Sequence, residues 1–367
     1  MTTFILKPTH KCNLRCKYCY ETHNSKNNRD SFSTDLIDVI IDKIYTHSVK
    51  QNAKRIKLIW HGGEALLWGI KNFEYAFHYC SQKFIDINVR HNIQTNLTLL
   101  NEDYINLFKR YNVHIGFSMD GSPVINDRTR VFANGKGTSN ILEEKIQLCK
   151  KHGLKTGAIV VASRYNIDDI GEIYKYMNQL GVNFKVNPIF KCGEAGDSFN
   201  EIGITPKEYA DAMIQLFDIW TQDQSTNLNL AMFSEIAGNL GSGKANLCCF
   251  TKNCQEGFTC ISPNGDIYPC GRFCESVDFN FGNISTIDID QVLEKKKIFF
   301  ETERYEKIKN NDCNDCRFLQ ICNGGCMHDA FISTCGIFGK TNLCGAYKQI
   351  FEHIEQYLKN NNIAIVI

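Results

Sequence analysis

The sequence predicts an α/β fold with a parallel sheet, followed by a cysteine-rich region. Two observations predict it. Six apolar segments alternate with amphipathic stretches of helical period, which is typical of parallel strands joined by helical crossovers. Twelve of the 18 cysteines then fall between residues 248 and 344. A chain of 367 residues is long enough for one or two domains with a sizeable core.

The six predicted strands all belong to the alternating part of the chain. They span residues 3–8, 55–62, 89–96, 113–121, 155–163 and 183–190. Six βα units in a row form either an open sheet or a partial barrel. In both arrangements ligands gather at the carboxyl ends of the strands, so site residues are expected there.

Amphipathic helices are predicted between these strands and again in the second half of the chain. Two of them end in a glycine, Gly153 and Gly181, which suits a helix C-terminus. The alternation stops after the sixth strand, and cysteine-rich loops follow. Helices are predicted over residues 34–48, 140–153, 167–181, 205–220, 289–311 and 347–361.

Charge and hydropathy exclude several classes of function. Lysine and arginine number 41 against 40 acidic residues, so no nucleic-acid partner is expected. The N-terminus lacks a signal-peptide pattern, and no apolar run reaches the roughly 18 to 20 residues of a membrane span. We therefore expect a cytoplasmic protein without a membrane partner. Because the cytoplasm disfavours disulfides, clustered cysteines there are expected to be metal ligands or redox groups.

The stretch KCNLRCKYCY places Cys12, Cys16 and Cys19 in the loop after the first predicted strand, with the spacing C-x3-C-x2-C. Zinc ribbons use pairs of C-x2-C motifs, so this single motif fits them poorly. Three thiolates can hold three irons of a [4Fe-4S] cluster and leave the fourth iron open. An open iron can bind and reduce a small molecule.

This motif, with Tyr18 before its last cysteine, resembles the signature of radical S-adenosylmethionine (SAM) enzymes. The resemblance implies a partial (β/α)6 TIM barrel, which we place at residues 1–235. It also implies that the open iron chelates the amino and carboxylate groups of SAM. One electron then cleaves SAM and releases a 5′-deoxyadenosyl radical.

Three further motifs at strand ends extend the resemblance. The first is WHGGEALL, in which Ala65 stands where the family has proline. The second is IQTNLT, in which Leu97 stands where the family has glycine. The third is FSMDG, whose aspartate is followed ten residues later by Arg130. By resemblance, these segments bind SAM. The implied SAM-binding residues are Tyr18, Gly62, Gly63, Glu64, Thr95, Asn96, Ser118, Asp120 and Arg130.

The C-terminal cysteines have the spacing C-x2-C-x5-C-x3-C from residue 313 to 326, followed by Cys344. This arrangement resembles the SPASM extension of peptide-modifying radical SAM enzymes, which we place at residues 236–345, before a final helix in 346–367. The resemblance implies two auxiliary [4Fe-4S] clusters, hence three in all. Auxiliary cluster I would use Cys249, Cys254, Cys270 and Cys326, and auxiliary cluster II would use Cys313, Cys316, Cys322 and Cys344.

Two alternatives stay open for these cysteines. Cys260 competes with Cys254 for the second position of auxiliary cluster I, and Cys248 could replace its neighbour Cys249. The eight cysteines could also hold two zinc ions, because C-x2-C pairs often build zinc ribbons. In that case the chain would be a colourless zinc-binding module and not an enzyme.

The resemblance implies a radical SAM oxidoreductase that modifies a peptide. As aligned, sulfatase maturases carry an aspartate base after the YPC segment, where this chain has Gly271. We therefore favour a maturase that crosslinks side chains of a ribosomally made peptide, through C–C or thioether bonds, over an anaerobic sulfatase maturase forming formylglycine. No catalytic residue is identified, and the weak candidates are Arg272, Asp266 and Glu275.

The expected partners follow from the same resemblance. They are a precursor peptide or protein substrate, an electron donor such as flavodoxin or ferredoxin, and a separate leader-binding protein unless the barrel surface itself binds the leader. The basic residues Lys11, Arg15 and Lys17 between the three cysteines would suit an acidic electron donor.

Overall fold

One eight-stranded sheet organises the fold. The computed structural model describes residues 2–21, 31–245, 247–252, 254–300, 304–334 and 336–363. The strand order is β6-β5-β4-β3-β2-β1-β7-β8, and only the β7–β8 pair is antiparallel. The strands are β1 Thr3–Leu6, β2 Arg55–Trp60, β3 Asn88–Thr95, β4 His114–Ser118, β5 Thr156–Ala162, β6 Asn183–Pro188, β7 Phe258–Ile261 and β8 Ile267–Tyr268.

Helices connect the parallel strands and cover one side of the sheet. Short 3₁₀ segments span Ala65–Trp68, Ile167–Asp169, Gly271–Phe273 and Val277–Phe279, and a π-helical turn spans Ile308–Asp312. The α-helices are α1 Thr34–Lys50, α2 Ile70–Lys83, α3 Glu102–Arg110, α4 Pro123–Asn126, α5 Ser139–Lys151, α6 Ile170–Gln179, α7 Glu194–Ile202, α8 Pro206–Gln222, α9 Ala231–Ser242, α10 Cys254–Gly257, α11 Ile289–Phe300, α12 Arg304–Lys307, α13 Leu319–Cys322, α14 Met327–Thr334 and α15 Cys344–Asn360.

The α/β class, the parallel sheet and all six predicted strands are confirmed. Each strand ends one to three residues before its predicted carboxyl end, and the residues that follow form the loops of the site. Strands β7 and β8 were not predicted, since they contribute only short segments within the cysteine-rich region. Parallel pairing of β1 with β7 joins the cysteine-rich region to the main sheet. The division of the chain into domains after residues 235 and 345 stays a prediction.

The predicted helices are present with shifted ends. Gly153 and Gly181 follow α5 and α6 with φ of +67° and +56°, the left-handed conformation expected of glycine after a helix. The helix predicted over 289–311 corresponds to α11, α12 and the π-helical turn, and residues 301–303 lie outside the described residues. The terminal helix starts at Cys344, a proposed cluster ligand, which is three residues earlier than predicted.

The two faces of the sheet differ in character, because successive side chains of a strand point to opposite sides. On the covered face, Trp60 of β2 packs edge-on against Phe73 and Phe77 of α2, with ring centroids 5.5 and 5.7 Å apart. The opposite face, which we call the inner face, is half-buried or exposed and largely polar. It includes Arg55, Lys57, Ile59, Arg90, Asn92, Gln94, His114, Gly116, Ser118, Gly157, Ile159, Val161, Lys185 and Asn187.

Within the described ranges, no helix is both long enough and apolar enough to cross a membrane.

The aromatic cluster over the covered face allows a matched test of core packing. Phe77→Ala removes a fully buried ring that contacts Trp60 and His91, and we expect it to lower the free energy of unfolding by about 3 to 5 kcal/mol. Tyr75→Ala on the same helix, where the ring is 40% exposed, should lower the free energy of unfolding by about 1 kcal/mol or less. Urea unfolding followed by circular dichroism measures both, and equal losses would contradict the packing described.

Candidate functional site

The loop after β1 carries Cys12, Cys16 and Cys19, all of them half-buried. Two backbone hydrogen bonds hold this loop against the turn after β2. The amide of Gly63 donates to the Thr9 carbonyl at 3.1 Å, and the amide of Glu64 donates to the Lys11 carbonyl at 2.8 Å. The predicted glycine turn and the predicted cysteine loop are therefore packed together.

Both glycines of that turn are required by close approach of the backbone. A Cβ on Gly62 would lie 2.2 Å from the Thr9 carbonyl oxygen, and Gly62 has a φ of +118°. A Cβ on Gly63 would lie 2.3 Å from the His10 carbonyl oxygen. Any side chain at either position would push the cysteine loop away.

The carboxylate of Glu64 joins the ends of β2 and β3. It is fully buried and accepts hydrogen bonds from the Thr95 hydroxyl at 2.6 Å and from the Asn96 amide at 2.6 Å. Asn96 in turn donates through Nδ2 to Asn13 Oδ1 at 2.8 Å, within the cysteine loop. Burial raises the pKa of Glu64. In this arrangement Glu64 and Thr95 position the loop, and their side chains face each other.

Leu97 occupies the place where the family has glycine. Its φ is +68°, the left-handed conformation that glycine adopts without strain, and its side chain is fully buried. The Leu97 amide donates to the Thr95 hydroxyl oxygen at 2.9 Å. The turn thus keeps a glycine-like backbone although its residue has changed.

A second buried network links the cysteine loop to the end of β4. Asp120 accepts hydrogen bonds from the Tyr18 hydroxyl at 2.6 Å and the Thr129 hydroxyl at 2.8 Å. The Arg130 Nη1 donates to the Tyr18 oxygen at 2.7 Å. The sequence motif therefore brings Tyr18, Asp120 and Arg130 together, and burial raises the pKa of Asp120. Ser118 lies beside them at the strand end and accepts from Gln94 at 3.2 Å.

These residues fit an iron–sulfur cluster that carries SAM. Three thiols share one loop and leave a fourth position to another ligand. Burial raises the pKa of Cys12 to about 11, so a bound cation is needed to hold it as thiolate. The buried Nε of Arg130 has no hydrogen-bond partner among the described residues. An unpaired guanidinium donor suits a carboxylate such as that of SAM.

The cysteines of the proposed auxiliary cluster II converge around one small cavity. It is lined by Cys313, Cys316, Cys322 and Cys344, together with apolar residues of α15 such as Phe351. The four thiols act electrostatically on one another, and burial raises the pKa of Cys322 to about 12. The donor set predicted from the sequence is thus brought together in full.

The proposed auxiliary cluster I cysteines also lie near one another. Cys326 and Cys270 interact electrostatically, as do Cys254 and Cys270, and Cys249 interacts with Cys326. The alternative ligand Cys260 also interacts electrostatically with Cys270, but it is fully buried in β7 and its thiol is hydrogen-bonded with Cys274. The arrangement favours Cys254 over Cys260 as the second ligand.

Sulfur spacing argues against mononuclear zinc sites. A tetrahedral zinc holds its thiolates at about 2.3 Å, so the sulfurs are less than about 4 Å apart. Among the residues that the structure describes, no three cysteine sulfurs lie within 4.8 Å of one another. A larger metal assembly suits the cysteine sets better.

The three weak catalytic candidates have different surroundings. Arg272 donates to Asp329 Oδ1 at 2.7 Å and to the Cys326 sulfur at 3.5 Å, while its side chain is half-buried. The Glu275 carboxylate lies 3.2 Å from His10 Nε2. Asp266 accepts a hydrogen bond from Asn283 in a turn. None of these contacts assigns a catalytic role, which stays a prediction.

Sequence reasoning missed a buried charge network next to the cysteine loop. Lys7 is 1% exposed and pairs with Glu21, whose other carboxylate oxygen lies 3.5 Å from His10 Nδ1. These contacts hold the pKa of Glu21 well below its usual range despite its burial. Two features of the sequence could have indicated this network: a lysine at the end of an apolar strand and a histidine two residues before Cys12.

Comparison with known proteins identifies one domain in the first half of the chain. Residues 6–177 match the model of the Radical SAM superfamily. These residues form a radical SAM domain, as the cysteine motif indicated.

Relatives match this chain over nearly its whole length. A serine-type anaerobic sulfatase-maturating enzyme of Bacteroides thetaiotaomicron is 26% identical over 369 residues, covering 95% of this chain and 87% of the relative. A cysteine-type anaerobic sulfatase-maturating enzyme of Clostridium novyi is 25% identical over 362 residues, covering 95% of this chain and 94% of the relative.

Solved structures share the fold. Native anSMEcpe with bound AdoMet matches with a TM-score of 0.86 at 21% identity, covering 99% of this chain and 100% of that one. The same protein with AdoMet and the Cp18Cys peptide matches with a TM-score of 0.85 at 21% identity, covering 98% and 99%. Streptococcus suis SuiB bound to its precursor peptide SuiA matches with a TM-score of 0.63 at 16% identity, covering 93% and 75%.

The unpaired Nε of Arg130 leads to a test of SAM binding. Arg130→Lys keeps a positive charge but removes the planar set of donors, so we expect at least about tenfold weaker SAM binding with unchanged iron content. Arg128→Lys, at the Asp169 ion pair, is the matched control and should bind SAM normally. Equilibrium dialysis with labelled SAM under anaerobic conditions measures both, and equal affinities would contradict a SAM contact at Arg130.

The choice between Cys254 and Cys260 has its own test. Anaerobically purified wild-type protein should contain about twelve irons per chain if three clusters are present. We expect Cys254→Ala to lose about four irons and Cys260→Ala to lose none, because Cys260 is engaged with Cys274 in the strand. Iron and sulfide analysis decides the question, and the opposite pattern would assign Cys260 as the ligand.

Proposed function

We propose that this radical SAM enzyme carries three [4Fe-4S] clusters and oxidises a peptide to form a crosslink between side chains, of C–C or thioether type. The observation that carries the proposal is Gly271. At the position where, as aligned, sulfatase maturases have an aspartate base, this chain has no carboxylate.

The proposed chemistry removes two hydrogens from the substrate. Cys12, Cys16 and Cys19 would hold the cluster that binds SAM, and the bound SAM would supply a 5′-deoxyadenosyl radical able to take one hydrogen atom from a substrate carbon. Formation of the crosslink would release one proton and one electron, and the cysteines of the proposed auxiliary clusters would hold the acceptors for that electron. Full ligation by four cysteines each suits those clusters to electron transfer, because no iron is left open to bind substrate.

The glycine at position 271 is not imposed by the backbone. Its φ lies outside the left-handed region, and a Cβ there would meet only Ile5 atoms at 3.5 Å, an ordinary contact. A Cβ is therefore tolerated at position 271, and the fold does not require glycine there. The neighbouring carboxylates are engaged elsewhere: Asp329 is paired with Arg272 and Glu275 with His10.

Formylglycine formation is the second candidate. It is supported by the near full-length match to serine-type and cysteine-type anaerobic sulfatase-maturating enzymes. In this version the substrate is a sulfatase and the oxidised residue is a cysteine or serine. A base other than residue 271 would then have to remove the proton.

The proposed partners are a peptide or protein substrate, a flavodoxin or ferredoxin as electron donor, and a leader-binding protein. A peptide substrate is supported by the likeness in fold to proteins solved with the Cp18Cys and SuiA peptides. A cytoplasmic location remains part of the proposal.

Mass spectrometry tests the two candidates against each other. The protein is incubated anaerobically with SAM, reductant and each short peptide encoded beside its gene, and separately with a sulfatase-derived peptide. We expect loss of two hydrogens per crosslink without reactivity toward aldehyde reagents. An aldehyde product would overturn the crosslinking proposal. Gly271→Asp is the companion variant: it should fold, and if formylglycine chemistry lacks only a base, it alone would yield aldehyde.

A further inference from the structure

Five basic residues on the inner face of the sheet form one cluster, which we call the basic inner cluster. It comprises Lys57, Arg90, His114, Lys155 and Lys185, contributed by or immediately preceding strands β2 to β6. Lys57 and His114 are half-buried, and the other three are exposed on this face. Their positions come from separate parts of the sequence, so only the sheet brings them together.

Strand register places like charges side by side in this cluster. Lys57 of β2 is the Cα partner of Arg90 of β3, on the same face of the sheet. Like charges directly opposite on neighbouring strands are destabilising. Burial and then the charge of Arg90 lower the pKa of Lys57, and burial followed by Arg90, Lys155 and Lys57 lowers that of His114.

In the part of the chain that the structure describes, no aspartate or glutamate forms an ion pair with Lys57, Arg90 or Lys185, and the charged groups that act on Lys57 are all cations. The thiols of Cys248 and Cys249 act on Lys185 but not on Lys57. The chain as a whole has 40 acidic residues for 41 lysines and arginines, so this excess of positive charge is a property of the face and not of the composition. A cluster of cations without carboxylate partners is suited to an anionic ligand.

A second observation on the same face points to a ligand. The side-chain oxygen of Asn92, two residues beyond Arg90 on β3, is buried and has no hydrogen-bond partner among the described residues. A buried acceptor left unpaired is destabilising, so a donor from a bound molecule would be favoured there. The backbone N–H of an extended peptide is such a donor.

The cluster lies at a defined depth below the cofactor site. Lys57 and Lys185 are each three residues before the end of their strands, so they lie about 10 Å from the carboxyl edge at about 3.3 Å per residue. His114 is four residues before the end of β4, which is about 13 Å. An extended peptide covers the same distances in three to four residues.

We propose that the basic inner cluster binds the carboxylate of an aspartate or glutamate in the peptide substrate, three to four residues from the residue that is oxidised. This inference rests on the proposed peptide-modifying function and adds the chemical class of the recognised segment. Lys57 and Arg90 supply the charge, and Asn92 accepts a backbone N–H of the same segment. A carboxylate is the anion that an unmodified ribosomal peptide carries on its side chains.

Fluorescence anisotropy tests the proposal on the full chain with reconstituted clusters. The probes are a labelled ten-residue peptide with glutamates spaced in a Ser/Gly background and the same peptide with glutamine. The test variant is Lys57→Gln with Arg90→Gln. The matched control is Lys109→Gln with Arg110→Gln, which removes two exposed charges from α3.

We expect the glutamate peptide to bind wild-type protein at least about tenfold more tightly than the glutamine peptide, and less so at high salt. The test variant should bind the glutamate peptide about tenfold more weakly than wild-type protein, and the control variant should bind it with unchanged affinity. If the double variant fails to fold, as judged by circular dichroism, Lys185→Gln serves in its place with a smaller loss of the same sign.

Several results would overturn the inference. They are equal binding of the two peptides, equal loss in the control variant, displacement by millimolar inorganic phosphate as effective as displacement by unlabelled peptide, or tighter binding of single-stranded RNA. Failure of the proposed function is recognised separately, by an unchanged mass of every peptide after anaerobic incubation of wild-type protein with SAM and reductant. SAM cleavage without a preference for glutamate would overturn only the basic inner cluster as a peptide site.

Discussion

The packing of the cysteine loop against the turns after β2 and β3 is the constraint on which the rest of the site depends. Gly62 and Gly63 let that loop approach the sheet to van der Waals distance, and no other residue fits there. The buried Glu64 carboxylate then binds the end of β3 through Thr95 and Asn96. Three segments far apart in sequence are thereby held in one arrangement around the thiols.

The cysteine-rich region is attached to this arrangement by backbone pairing as well as by proposed metal ligation. Strand β7 adds to the free edge of β1, the strand that leads into the cysteine loop. Gly271, in the segment after β8, consequently lies against Ile5 of β1. Cys248 and Cys249 come near enough to the inner face to act on the charge of Lys185.

Much of this could be predicted from local sequence, because strand–helix alternation and cysteine spacing are local signals. The six strands and the convergence of Cys313, Cys316, Cys322 and Cys344 are examples. Other features depend on register and tertiary contact. The pairing of β7 with β1, the ion pair of Arg272 with Asp329 and the role of Glu64 as a link between strands have no local signature. The basic inner cluster could not be predicted from the composition, because the total charge of the chain is nearly balanced.

The central claim is that the cluster held by Cys12, Cys16 and Cys19 has one open iron that binds SAM. Electron paramagnetic resonance of the dithionite-reduced protein, recorded with and without SAM, tests it most directly. We expect SAM to change the signal of one cluster, and Cys16→Ala to abolish that change while the auxiliary signals persist. Spectra that are identical with and without SAM would contradict the account.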